Sequence, residues 1–258
     1  MPQLALVGNL SRDLVDSGPP RIGGAPYYAA LAWRELGSRA TLVTRCGPEE
    51  RGPYLRQLSA LGLPVLMLPG TATTSFAFHY EGETRVMRVV HAGDRWTPTD
   101  MRNVPRGAWV HVAPLLRSDF PAETIAALSR DRQVSFDGQG LVRAGVEGPL
   151  RLDADFDREL LRHIDILKLA EEEAEVVGSI DRLGVREVIV TYGHHGSRLY
   201  VDGRSEAIRA WHVATDPTGS GDAFSAAYLA ARSHGLAPRS AARRATALVE
   251  QLLMRRMR

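Results

Sequence analysis

Short apolar runs alternating with amphipathic stretches constrain this chain more than any other feature, because that rhythm is best satisfied by a mainly parallel sheet with helices on both faces. Strands are expected at residues 4–7, 41–45, 65–68, 109–112, 134–136, 164–167 and 188–191, all short, apolar and partly β-branched. Helices are clearest at residues 28–36, 53–61 and 171–177, which end at Gly37, Gly62 and Gly178. Glycine accepts the left-handed conformation that closes a helix. The rhythm breaks at Ser75-Phe-Ala-Phe-His-Tyr80, Glu81-Gly-Glu83 and Thr84-Arg-Val-Met-Arg-Val-Val90, where alternating side chains flank a turn and a hairpin is expected.

With 44% apolar and 24% charged residues, the 258-residue chain has the composition of a globular protein. It shows no internal repeat and no Pro/Gly-rich linker, so one domain spanning 1–258 is expected, with the hairpin at about 73–92 inserted as a lid. The net charge is +2 and the basic residues are scattered, which speaks against a nucleic-acid partner. Lys168 is the only lysine. Cys46 is the only cysteine, so neither an intrachain disulfide nor a cysteine zinc site can form, and a reducing cytoplasmic setting fits. No apolar run approaches the ~18 residues needed to cross a bilayer, so no membrane partner is expected.

The segment richest in chemistry is Asp216-Pro-Thr-Gly-Ser-Gly-Asp222, followed by the small-residue helix Ala223-Phe-Ser-Ala-Ala-Tyr-Leu-Ala-Ala-Arg232. Two glycines just before a helix N-terminus let several backbone N–H groups face one point, where the helix dipole also favours an anion. Asp222 would repel that anion, which makes sense if its task is chemical: it could take the proton of a hydroxyl attacking a phosphoryl group. Its simpler reading is a helix N-cap.

This segment resembles the C-terminal signature of the ribokinase-like (PfkB) carbohydrate and nucleoside kinases. The resemblance implies an α/β three-layer sandwich with a mainly parallel sheet and a small β lid. It implies Asp222 as catalytic base and the amides of Gly219, Ser220 and Gly221 as anion hole. Further along the resemblance, Gly23-Gly24 entering a helix, Tyr28 where many members carry Asn, and Asp13 in Gly8-Asn-Leu-Ser-Arg-Asp13 fall at acceptor-binding positions. Lys168, Thr191, Gly193 and Gly196 fall near the nucleotide, and Glu173 matches a glutamate that organises magnesium through water, although Ala170 replaces the family's Asn. Asp137-Gly-Gln-Gly-Leu-Val-Arg143 is similar to inositol-kinase-like members.

The implied activity is transfer of the γ-phosphoryl group of ATP to a hydroxyl of a sugar, polyol or nucleoside, with Mg²⁺, and with K⁺ as an allowed monovalent ion. The lid region also allows a homodimer. Tyr28, Ala170 and a chain that stops soon after the helical stretch 238–253 motivate a rival, a weakly active or inactive sugar- or nucleotide-binding regulator of the same fold. The basic end Met254-Arg-Arg-Met-Arg258 is expected to be a solvated tail, with contact to another subunit as the alternative. A P-loop kinase is not expected, because no Gly-x-x-x-x-Gly-Lys-Ser/Thr occurs.

Overall fold

The computed structural model describes residues 3–16, 18–81 and 84–256. The chain begins with β1 (Leu4–Asn9), β2 (Ser11–Val15), β3 (Arg21–Gly23) and α1 (Ala25–Glu35), then β4 (Ala40–Cys46), α2 (Pro48–Ser59) and β5 (Val65–Pro69). The hairpin strands β6 (Thr74–Glu81) and β7 (Thr84–His91) follow, then β8 (Trp109–Val112), α3 (Ala122–Ser129), β9 (Gln133–Asp137), α4 (Gln139–Val142) and β10 (Gly148–Pro149). The rest is β11 (Ile166–Ala170), α5 (Glu171–Val177), β12 (Glu187–Thr191), β13 (Ser197–Val201), β14 (Arg204–Ile208), α6 (Ser220–Ser233) and α7 (Pro238–Arg256).

The large sheet has nine strands in the order β14-β13-β12-β11-β9-β8-β1-β4-β5. Its seven strands from β12 to β5 are parallel, and β13 and β14 extend it antiparallel. A second sheet, β10-β7-β6-β2-β3, joins the expected hairpin to three strands that sequence periodicity does not single out. The hairpin turn at Gly82 and Glu83 lies outside the described residues, as does the Tyr80 side chain.

Local sequence explains where the elements start. Helix α1 begins at Ala25, three residues before the expected start, because Pro26 in its first turn has the helical φ and needs no N–H partner there. Helix α2 likewise starts at Pro48, five residues early, and tolerates Pro53 inside it. Strand β11 is shifted by two residues from expectation, because Ile164 closes a 3₁₀ turn by donating its N–H to the Leu161 carbonyl.

Two apolar layers sandwich the large sheet, one under α1, α6 and α7, the other under α3. A third, smaller cluster joins Phe76, Phe78 and Val89 of the second sheet to Leu115 and Leu116. Helix α6 can sit in the middle of its layer because Ala226, Ala227, Ala230 and Ala231 are buried and small, so neighbouring helices approach closely. Trp33 of α1 donates its indole N–H to the Ala226 carbonyl at 2.8 Å across that interface. At the other end of α6, the buried Glu187 carboxylate of β12 accepts from the Tyr228 hydroxyl at 2.8 Å and from Arg232 at 3.0 and 2.5 Å.

These bonds set the position of α6 relative to the sheet. Replacing Glu187 with Gln breaks a buried ion pair and should lower stability by about 3 kcal/mol, read as a reduced urea midpoint at unchanged m-value.

Candidate active site

The turn before α6 is built by its own side chains. Asp216 accepts from the Thr218 N–H at 2.9 Å and hydroxyl at 2.7 Å, and Ser220 N–H donates to the Pro217 carbonyl at 2.9 Å. Gly219 is the N-cap, with φ 77°. A Cβ at Gly219 would run into the Tyr28 ring, so both conformation and space call for glycine here. Asp222 is the third residue of α6 and makes no capping bond, so it is not an N-cap.

Of the three amides expected to bind an anion, that of Ser220 is already engaged. The N–H groups of Gly219, Gly221 and Asp222 meet no acceptor among the described residues, so Asp222 contributes a donor that sequence reading does not assign.

This turn separates two cavities. Thr218, Gly219 and Asp222 face a small one of about 120 Å³, together with Ser11, Asp13, Gly24, Tyr28, Gln139 and Arg143, with Phe76 and Met87 of the second sheet at its wall. Pro217, Ser220 and Gly221 face a larger, mostly apolar one of about 340 Å³, where Thr191, Gly193 and Gly196 meet Phe224, Val249 and Leu253. Trp211 also lines this second cavity and is 79% exposed.

Asp13 therefore lies in β2, not in a loop, and takes a 2.7 Å bond from the Ser11 hydroxyl. Gly24 lines the small cavity, whereas Gly23 does not. A Cβ at Gly23 would strike the Asp13 carboxylate, so that glycine makes room for Asp13 and not directly for a ligand. Burial, with Asp13 and Asp222 nearby, pushes the Tyr28 phenol up to about 12.

Beneath the turn, Lys168 of β11 is buried, with Nζ 3.4 Å from Asp137 Oδ2 and 3.3 Å from where a Gly221 Cβ would stand. It lines neither cavity, but supports the turn between them. Burial opposes its charge, yet Asp137, Glu173 and Asp222 together raise its pKa. Glu173 is also buried, and its carboxylate accepts the Ala170 N–H at 2.8 Å. Burial raises its pKa, opposed by Lys168. Asp222 is pushed up to about 7 by burial and then by Asp137, against the pull of Lys168 and Arg143.

Among the described residues, no group of three or more His, Cys, Asp or Glu side chains could hold a metal ion. The Lys168 ammonium, close to Asp137 and felt by Glu173 and Asp222, already supplies the cation these carboxylates would attract. The residues do not fit a metal ion held directly by protein.

Residues 13–252 match the pfkB family carbohydrate kinases. The chain belongs to this family. It is a phosphotransferase with an alcohol group as acceptor. Over 263 residues it is 29% identical to a fructokinase of Klebsiella pneumoniae, covering 90% of this chain and 85% of the relative. It is 33% identical to an inositol 3-kinase of Oryza sativa subsp. japonica over 68% of this chain, a match that spans about half (48%) of that protein. A pyrophosphate-dependent kinase in the ribokinase family, solved with a pyrophosphate analog and myo-inositol, superposes with a TM-score of 0.84 at 26% identity, covering 98% of this chain and 95% of that one. Among the described residues of this pfkB family kinase, no helix is long and apolar enough to cross a membrane.

Sequence reading misses Asp137 and Arg143 as site residues, although it notes their segment. It also misses Trp211, which carries no motif signal, and misjudges the C-terminus. Arg255 reaches Glu35, and Arg256 Nη1 donates to the carbonyls of Asp216 and Thr218 at 3.1 and 2.8 Å, so neither belongs to a free tail. Met257 and Arg258 lie outside the described residues.

Arg256 ties α7 to the turn that carries the unpaired amides. An Arg256→Ala variant should show faster hydrogen exchange at Ser220 and Ala223, whose N–H groups are bonded to the carbonyls of Pro217 and Gly219, with global stability changed by less than about 1 kcal/mol, since the side chain is exposed.

Proposed function

We propose that this kinase transfers the γ-phosphoryl group of ATP to a hydroxyl of a small sugar or polyol, with Asp222 as general base. The observation that carries this reading is the single turn whose residues face two cavities, Pro217, Ser220 and Gly221 the larger and Thr218, Gly219 and Asp222 the smaller, with unpaired amides and a carboxylate on it. Such a turn can hold a phosphoryl group at the point where donor and acceptor meet, so that the reaction gains from positioning and charge stabilisation together.

In the small cavity Asp13, Gly24 and Tyr28 bind the acceptor, while Gly23 keeps Asp13 in place. At about 120 Å³ the cavity is well below the ~300 Å³ of ordinary small-molecule pockets, which favours a monosaccharide or cyclitol over a nucleoside. The second sheet lies over it as a lid on a single kinase domain. Exclusion of water by that lid would suppress hydrolysis of the donor. The same sheet is the candidate surface for a homodimer.

In the large cavity Thr191, Gly193 and Gly196 meet the donor, and the apolar lining from Phe224, Val249 and Leu253 supports a nucleotide base. Lys168, beside Gly221, balances phosphate charge, and the amides of Gly219, Gly221 and Asp222 bind the phosphoryl oxygens, with Ser220 shaping the turn. A Mg²⁺ ion would arrive on the phosphates of the donor, and Glu173 is buried too deeply in its own hydrogen bond to hold one directly. The likeness to a pyrophosphate-dependent kinase supports a second donor reading, pyrophosphate, which has no use for an apolar cavity.

The test measures ADP release from Mg·ATP and phosphate release from Mg·pyrophosphate with pentoses, hexoses, inositols and nucleosides, with and without K⁺. Turnover with ATP on one acceptor supports the reading, turnover with pyrophosphate alone replaces the donor, and silence with every pair overturns it. Asp222→Asn should reduce kcat by about 10²–10⁴-fold. Full activity in that variant would remove Asp222 as base.

The pH dependence has a definite sign. Burial raises the pKa of Asp222 to about 7, and the base must be ionised to accept a proton, so kcat/KM should rise through about pH 7 and fall below it. A profile flat from pH 5.5 to 8 would contradict this assignment.

A further inference from the structure

A cleft of about 530 Å³ opens at the edge of the large sheet where β8 and β9 begin, between the loop that leads into β8 and the C-terminal end of α3. The reaction site lies at the other edge. Asp137 ends the five-residue β9, so that strand alone puts roughly 13 Å between the cleft and the Lys168–Asp137 pair.

Four arginines line the cleft, Arg102, Arg106, Arg130 and Arg132, with Asp131 as the one acid among its lining residues. Arg132 has a structural task. Its side chain is only 6% exposed; Nε donates to the Pro105 carbonyl at 2.9 Å, Nη2 to that of Val104 at 2.7 Å, and Nη1 to that of Leu128 at 3.2 Å and to Asp131 at 2.5 Å. These bonds brace the loop against α3 and use up the charge of Asp131. The acids of adjoining elements are engaged as well: Asp100 pairs with Arg45 at 2.8 Å, and Asp165 accepts the Val134 N–H at 2.8 Å. Arg102, Arg106 and Arg130 are exposed, and their side chains have no hydrogen-bond or ion-pair partner among the described residues.

Like charges that converge on one concavity repel each other, and the same geometry focuses their field on whatever enters. Folding alone does not favour such a grouping. Arg130, as C-cap of α3, also complements the negative end of that helix, but Arg106 stands at no helix end. A free guanidinium fork binds two oxygens of a phosphate at once, and three free forks offer more than one phosphate can use. The volume lies between the ~300 and ~1,000 Å³ of small-molecule sites, and Pro98, Met101 and Ala127 add apolar lining.

We infer that this cleft is a binding site, separate from the reaction site, for a small molecule that carries two or more phosphate groups. Arg102, Arg106 and Arg130 hold the phosphates, and Arg132 keeps the walls in place.

The test is hydrogen exchange read by mass spectrometry, with sodium tripolyphosphate as probe and ionic strength held constant. In wild type the probe should slow exchange in residues 98–106 and 127–133. The Arg102→Gln/Arg106→Gln/Arg130→Gln variant should lose that protection, with Kd from its concentration dependence weakened by about tenfold or more. Exchange at residues 216–223, and turnover without the probe, should be the same in both proteins. No protection in wild type, or protection that the variant retains, would overturn the proposal. Equal protection by sulfate would reduce the effect to general anion screening, and equal protection by citrate would remove the phosphate assignment; either also overturns it. If the triple variant does not fold, Arg106→Gln, altered in an exposed loop, decides by the same readout. The readout does not depend on turnover, so a wild type that phosphorylates no acceptor still decides this proposal while failing the proposed function.

Discussion

The buried pair of Lys168 and Asp137 is the constraint around which the site is organised. Carboxylates crowd beneath this turn: Asp137, Glu173 and Asp222 all act on Lys168. Without a resident cation, burial and mutual repulsion would force protons onto them. The ammonium of the chain's only lysine removes much of that cost, because it sits inside the cluster and not at its edge. Asp222 is still pushed up to about 7, by burial first and by Asp137 second.

That arrangement has to be held rigidly, and helix α6 is the holder. Its small residues let α1 and α7 pack closely on it, Trp33 bonds to its backbone, and Glu187 pins its C-terminal half to β12. The turn at its N-terminus is fixed in addition by Asp216 from within and Arg256 from α7. Amides held so can meet an anion without first being reorganised, which is where such donors gain most of their catalytic effect. The family match over residues 13–252 includes this turn and the helix behind it.

Much of this was legible along the chain. Strands with period-two or continuous apolar runs, glycines that end helices, and the glycine turn before α6 are local signals, because each is set by backbone propensity within a few residues. They place the parallel sheet and the hairpin, and they put Asp222 at the start of a helix. Boundaries moved where a proline was free to start a helix early, as at Pro26 and Pro48. The strands β2, β3, β10, β13 and β14 were not visible, since none carries the continuous apolar run that marks the others.

The sequence by itself determined the βα architecture, the family resemblance and the presence of a glycine turn followed by an acid at the start of a helix. Only the tertiary structure decided which charges meet there. Asp137, Arg143, Lys168, Glu173 and Asp222 come from β9, the end of α4, β11, α5 and α6, and no local rule relates them. Their coupling is electrostatic, so it depends on distance and burial, and neither exists until distant segments pack. The same holds for Arg256, whose place in the sequence suggests a tail and whose place in the fold is against the turn.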